Sequence, residues 1–213
     1  YSQNHSDSTL ADLFQTTDVA RFQDSIIHAA GDYSYPPYEF LNEKGQPDGF
    51  NVDILKAVAV AMNLKVQISM YPWVAVRDSI ESGGIDLVMG MYRTKERDKV
   101  VDFSIPHFIS TYAVFIPKGS GIQELSDILD KQILVQEADV AHDFLKENNV
   151  GSELIVYSDW RDVIRNLAKG EGDCAIISRL QGVHLIHEEG IKGVKAIGLP
   201  ILQRKYCMAV KEG

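Results

Sequence analysis

From Gln132 to Ile197 the chain alternates short apolar runs with amphipathic stretches, and this alternation restricts its fold more than any other feature. Gln132 to Gln136, Leu154 to Tyr157, Asp173 to Ile177 and Val194 to Ile197 read as strands. Val140 to Asn148, Trp160 to Lys169 and Arg179 to Glu188 read as the helices between them, and a further helix is expected over Ile122 to Leu129. Strands separated by helices of this length build a mainly parallel sheet with helices on both faces. The first half carries similar signals. Ser25 to Ala30 and the alternating Lys65 to Met70 read as strands; Val52, Leu55, Val58, Ala59 and Met62 mark one helical face from Asn51, and Trp73, Val76 and Ile80 another that ends at Gly83-Gly84. The fold class is therefore α/β.

The stretch from Asp86 to Pro106 carries the strongest chemical signal. Leu87 to Met91 reads as a buried strand in which Gly90 lets another molecule approach the backbone. Thr94 is a good N-cap residue and Glu96 suits the positive end of the short helical turn that would carry Arg97. A guanidinium beside free backbone N–H groups at a strand end suits a carboxylate, because its fork matches two oxygens. On local features alone Arg97 could equally pair with Glu96, Asp98 or Asp102 on a solvated surface.

The wider pattern favours the first reading. Gly90-Met-x-x-Thr-x-Glu-Arg97, followed by Val101-Asp-Phe-Ser-x-Pro106, resembles the signature of the family 3 periplasmic solute-binding proteins, the amino-acid-binding type. The resemblance runs from about Asp24 to the C-terminus. It implies a two-lobed, periplasmic-binding-protein-like (Venus-flytrap) fold, with residues 24–109 and 203–213 in lobe 1 and 110–202 in lobe 2. The chain would cross between lobes near His107 to Tyr112 and Leu199 to Gln203, and Tyr206 to Val210 would be the last strand. Ligands of open α/β sheets bind at the carboxyl ends of the strands, here the cleft between the lobes.

The resemblance also implies site residues. Arg97 would anchor an anionic group, with Gly90, Met91 and Tyr92 beside it. Asp32 would face the cleft and Tyr35 would stack on the ligand, both presented by a loop that Pro36 and Pro37 hold extended. Trp73 stands where the family often places an aromatic at the cleft wall, although a core role is the other reading. Three departures narrow the ligand. Tyr92 replaces a small hydroxyl residue, Glu137-Ala-Asp139 replaces a Gly- or Ser-rich turn, and Ser178 stands where an acid normally receives an α-ammonium. A hydroxyl offers an acceptor but no charge, so a small carboxylate-bearing compound is the first expectation and an ordinary amino acid the second, unless Asp32, Glu137 or Asp139 holds the ammonium.

A net charge of −9 and a pI near 5.1 argue against a nucleic-acid partner or an anionic membrane surface. No apolar run reaches the roughly 20 residues that span a bilayer, and no signal peptide stands at the start. The six histidines are scattered without metal-ligand spacing, Cys174 and Cys207 are expected as buried free thiols, and no cofactor fingerprint or nucleophile–base pair appears. No catalytic, metal or cofactor role is therefore assigned, and a binding module is the leading class. Residues 1–23 read as a leader or spacer, and the chain ends at Gly213, before the helices that normally complete lobe 1. These two features favour the extracytoplasmic (periplasmic) sensor domain of an inner-membrane receptor such as a histidine kinase, joined to a membrane-anchored signalling module. A homodimer is left open. The alternatives are a transport receptor and a cyclohexadienyl-dehydratase-like enzyme, whose general acid would be Glu137 or Asp139.

Overall fold

The computed structural model describes residues 25–212. The leader or spacer expected over residues 1–23 lies outside them. Strand β1 (Ile26–Asp32) leads into β2 (Ser34–Tyr35), β3 (Glu39–Leu41) and β4 (Pro47–Asp48), which pair as a small separate sheet. Helix α1 (Phe50–Ala61), β5 (Lys65–Tyr71), α2 (Trp73–Ser82) and β6 (Leu87–Tyr92) follow. After a 3-10 turn at Arg97–Lys99 come β7 (Val101–Phe103) and the long β8 (Phe108–Pro117). The second half runs β9 (Gln132–Gln136), α3 (Val140–Asn148), β10 (Glu153–Tyr157), α4 (Trp160–Lys169), β11 (Cys174–Ser178), α5 (Arg179–Glu188) and β12 (Val194–Lys211).

Hydrogen bonding orders the large sheet β10-β9-β11-β8-β12-β6-β1-β5, with β7 also on β12. At one end β1 is parallel to β5 and β6; at the other β9 is parallel to β10 and β11. The antiparallel β8 and β12 join these halves. Two lobes thus share a curled sheet rather than holding separate ones, because the crossing strands remain bonded to each other along their length. Only register shifts at Ile197/Ile201 and Ile201/Gln203 interrupt them. For the same reason β12 is one strand, not the three pieces expected between Val194 and Val210: β8 supplies partners from Val194 to Tyr206, and β6 and β7 carry the pairing on to Lys211.

Alternation along the strands builds the cores. In the first half Ala30 and Val88 face one side with Val76 and Ile80 of α2, while Ala29 and Met89 face the other with Val52 and Leu55 of α1. In the second half Ile133 and Leu134, on opposite faces of β9, and Phe115 of β8 share one core with Trp160, Ile164 and Leu167 of α4, all fully buried. Asp139 and Asp159 start α3 and α4 by accepting the N–H of Ala141 and Arg161 at 2.8 and 2.6 Å. Gly83 and Gly170 end α2 and α4 in the left-handed conformation that a residue without Cβ adopts freely.

The helix expected over Ile122 to Leu129 is only a 3-10 turn, Leu125–Ile128. Ile122 and Ile128 are buried while Leu125 and Leu129 are exposed, so the apolar residues do not share one helical face. Among the described residues no helix is long and apolar enough to cross a membrane.

Candidate functional site

The parallel strands of both halves bring their carboxyl ends to one place. Asp32 ends β1, Trp73 follows β5, Tyr92 ends β6 and Gln136 ends β9. These residues line a small cavity of about 20 Å3, room for about one water, together with Tyr35, Glu39, Gly90, Met91, Asp139 and Tyr206. Gly90 is required there: a Cβ would come within 2.3 Å of Asn51 Nδ2 and 2.4 Å of the Tyr206 hydroxyl. The close approach foreseen at this glycine is made by the chain's own side chains.

Bonds across the cavity join the halves. Gln136 Nε2 donates to Asp32 Oδ2 at 3.2 Å and to the Ser158 carbonyl at 3.1 Å. A hydroxyl chain runs from Tyr35 to Tyr92 (2.7 Å), on to Ser110 (3.1 Å) and Ser178 (3.1 Å). A stronger junction forms at Ala138, whose φ of 58° is unusual for a residue with a Cβ. Its carbonyl accepts from Trp73 Nε1 at 2.9 Å, Arg97 at 3.0 Å and Arg77 at 3.3 Å. Both guanidinium groups also reach Asp143 Oδ2, at 3.1 Å from Arg77 and 3.4 Å from Arg97.

Seven of the residues singled out in the sequence therefore line the cavity: Asp32, Tyr35, Trp73, Gly90, Met91, Tyr92 and Asp139. Three do not. Glu137 is exposed, because its N–H pairs with the Tyr157 carbonyl and the turn carries its side chain outward. Ser178 is buried behind the lining in the hydroxyl chain. Arg97 is 2 % exposed, so the reading as a solvated surface pair fails. Nor does it line the cavity: its guanidinium donates to the Tyr92 carbonyl at 3.1 Å and to Ala138, and lies 5.5 Å from the Trp73 ring. Asp98 pairs instead with Arg93 at 2.7 Å.

Sequence reasoning missed Glu39, Gln136 and Tyr206. Glu39 had a visible signal, an acid two residues after the Pro36-Pro37 pair that shapes the loop. Its Oε1 accepts the Asp32 N–H at 2.8 Å and its Oε2 accepts Asn51 Nδ2 at 2.7 Å. Tyr206 had none, since the Asn51 amide that meets its hydroxyl at 3.3 Å is 155 residues away.

The charged groups of the lining are all carboxyls. Burial pushes Asp32 up to about 7, against the hydrogen bonds from Ser34 and Gln136 that favour its ionised form. Burial likewise raises Glu39 to about 8 and Asp139 to about 6, the latter opposed by the Ala141 N–H and by Arg97. Burial, reinforced by the neighbouring Arg77, lowers Arg97 from its ordinary value. An acid whose pKa is raised by folding holds more protons in the folded chain, so its contribution to stability is complete below the unfolded value and lost as pH rises through the folded one. The window runs from about 4, the unfolded carboxylates, to about 8, where Glu39 ionises. The thermal midpoint is therefore expected to be higher at pH 5 than at pH 8, and Asp32→Asn should flatten the difference. A midpoint that rises with pH across this range would contradict the buried carboxyl cluster.

Residues 27–136 match the family model of the bacterial extracellular solute-binding proteins, family 3, which is more than half of the chain. The chain belongs to that family. This solute-binding chain is 26% identical over 193 residues to a probable histidine-binding protein of Neisseria gonorrhoeae, covering 88% of the chain and 72% of the relative. It is 30% identical over 182 residues to the arginine-binding periplasmic protein of Mannheimia haemolytica, covering 81% and 72%. Among solved structures, it superposes on a histidine kinase sensor domain with similarity to periplasmic binding proteins at a TM-score of 0.86 and 28% identity, covering 89% of this chain and 83% of that one. The two-lobed periplasmic-binding-protein-like fold expected from the motifs is the fold observed, and these relatives are binding proteins, which supports a binding module.

Proposed function

We propose that this chain is the extracytoplasmic sensor domain of a membrane-anchored receptor, a histidine kinase by analogy with the sensor domain it superposes on, and that its cleft closes over a small amino-acid-type solute. The observation that carries the binding half of this reading is the small cleft at the carboxyl ends of strands from both lobes, spanned by the Asp32–Gln136 bond. Histidine- and arginine-binding relatives support an amino-acid-type ligand over the simple carboxylate favoured by the sequence. The lobes divide near 109/110 and 202/203, where the register shifts of β12 and the positive φ of Leu202 (49°) supply the hinge. A transport receptor is the second reading, favoured by the same two relatives.

A thermal-shift panel of the standard amino acids and small amines tests the binding half. A ligand roughly a hundredfold above its dissociation constant should raise stability by about 2.7 kcal/mol, a shift of several degrees. A midpoint unmoved by every compound would remove the solute-binding reading. For the sensor half, the positive ligand should change autophosphorylation of the full-length protein in membrane vesicles. Uptake dependent on a partner permease, without such a change, would establish the transport reading instead.

A further inference from the structure

A larger hollow lies apart from the cleft, where the crossing strand β8 begins. Tyr38 separates the two: its ring stacks on Tyr35 of the cavity at 5.2 Å and on Phe108 at 4.9 Å. The hollow is an open groove of about 490 Å3 whose lining carries no charge. Phe50, which opens α1 in the first half, forms one wall and meets Phe108 edge to face at 5.9 Å; Leu180, in the first turn of α5 in the second half, forms the other. Ile109 stands between them and is 65 % exposed, Leu180 is 55 % exposed, and Val183 continues the apolar surface one helical turn further on. Large apolar side chains gathered in the open mark a contact surface rather than the scatter found on any protein. The rim is charged, with opposite signs on the two sides. Asp53 lies one turn beyond Phe50 on the same face of α1, and Arg179 precedes Leu180 at the start of α5. Both are exposed, and neither has an ion-pair partner among the described residues.

We propose that this groove docks a second copy of the chain, packed about a two-fold axis that runs along it. An isologous contact uses the same patch on both copies, so the patch must be complementary to itself: apolar near the axis, with charges of opposite sign on either side. The groove has that pattern. The axis lays the Phe50 wall of one copy over the Leu180 wall of the other, Ile109 packs near the axis, and Asp53 meets the partner's Arg179 once at each rim. A partner of a single charge would match one rim and be repelled by the other. The uncharged lining lets two chains that each carry a net charge of −9 meet without burying any of that charge. Because the two walls belong to different halves of the chain, a movement between the halves changes the fit, and association responds to the state of the cleft without any residue of the cleft taking part.

Sedimentation velocity of the whole chain, from about 1 µM to about 500 µM, tests this, since a contact of modest area supports a dissociation constant in the micromolar range. Ile109→Glu sets like charges against each other at the axis and should weaken the dimer by at least about tenfold, while a thermal melt reports an intact fold because the side chain is exposed. Asp53→Arg and Arg179→Asp should each weaken it by about tenfold, since either one faces like charges across both rims. The double variant exchanges the two charges and should return to within about threefold of the wild type. A wild-type chain that stays monomeric over the whole range overturns the proposal. So does a monomer that dimerises only after residues 1–23 are removed, which would give the groove to that segment. A dimer that Ile109→Glu leaves unchanged places the contact elsewhere and overturns it, and a double variant no tighter than the single ones overturns the two-fold pairing of Asp53 with Arg179.

Discussion

Arg97→Ala is expected to lower the unfolding free energy by about 2–4 kcal/mol and to loosen the closed cleft. The guanidinium is buried and donates to two backbone carbonyls, at 3.1 Å on its own lobe and 3.0 Å across the cleft. Hydrogen bonds from a charged donor are worth about 1.5–3 kcal/mol each, reduced here by the cost of burying the charge. Asp143 keeps a partner in Arg77, so the loss stays below that of a fully orphaned buried ion pair. Arg97→Lys should recover only part of the stability, because a single ammonium cannot reach the Tyr92 and Ala138 carbonyls in the planar arrangement of the fork. Urea unfolding reads the first effect and the radius of gyration from small-angle scattering reads the second. An alanine variant with unchanged stability and unchanged size would mean that Arg97 does not fasten the lobes.

The direction taken by Arg97 shows where sequence reading ends. Its place after a buried strand was legible from Gly90, Thr94 and the apolar run that precedes them, because strand ends and caps are local properties. Its acceptor was not legible. That acceptor is a carbonyl 41 residues away, presented by an alanine at positive φ, a conformation that side chain does not announce. The cavity divides in the same way. Asp32 and Tyr92 end strands that run past the Ala30 and Met91 limits read from the sequence, and the family resemblance rather than the strand pattern brought them to the site, whereas Tyr206 enters through β12, whose path depends on pairing with β8. In the second half the observed limits of β9, α3, α4 and α5 coincide with those read from periodicity, with Asp caps on α3 and α4. Where periodicity was weak, over Ile122 to Leu129, only one tight turn forms.

Trp160→Ala should have the larger effect on folding, a loss of about 3–5 kcal/mol. Trp160 opens α4 directly after its Asp159 cap and is among the largest fully buried side chains, packed in the core beneath β9 and β11. Truncation removes its transfer free energy and leaves a cavity that a rigid sheet and two helices cannot close. The indole also carries a cost of its own, since Nε1 has no hydrogen-bond partner among the described residues. Trp160→Phe retains much of the apolar volume and discards that N–H, so the penalty should fall below about 1.5 kcal/mol. The pair of variants separates volume from polarity: denaturant midpoints should order wild type, Phe, Ala, with Phe close to wild type. A Phe variant as unstable as the Ala variant would show that the indole N–H does hold a partner and that polarity, not packing, fixes this residue in the core.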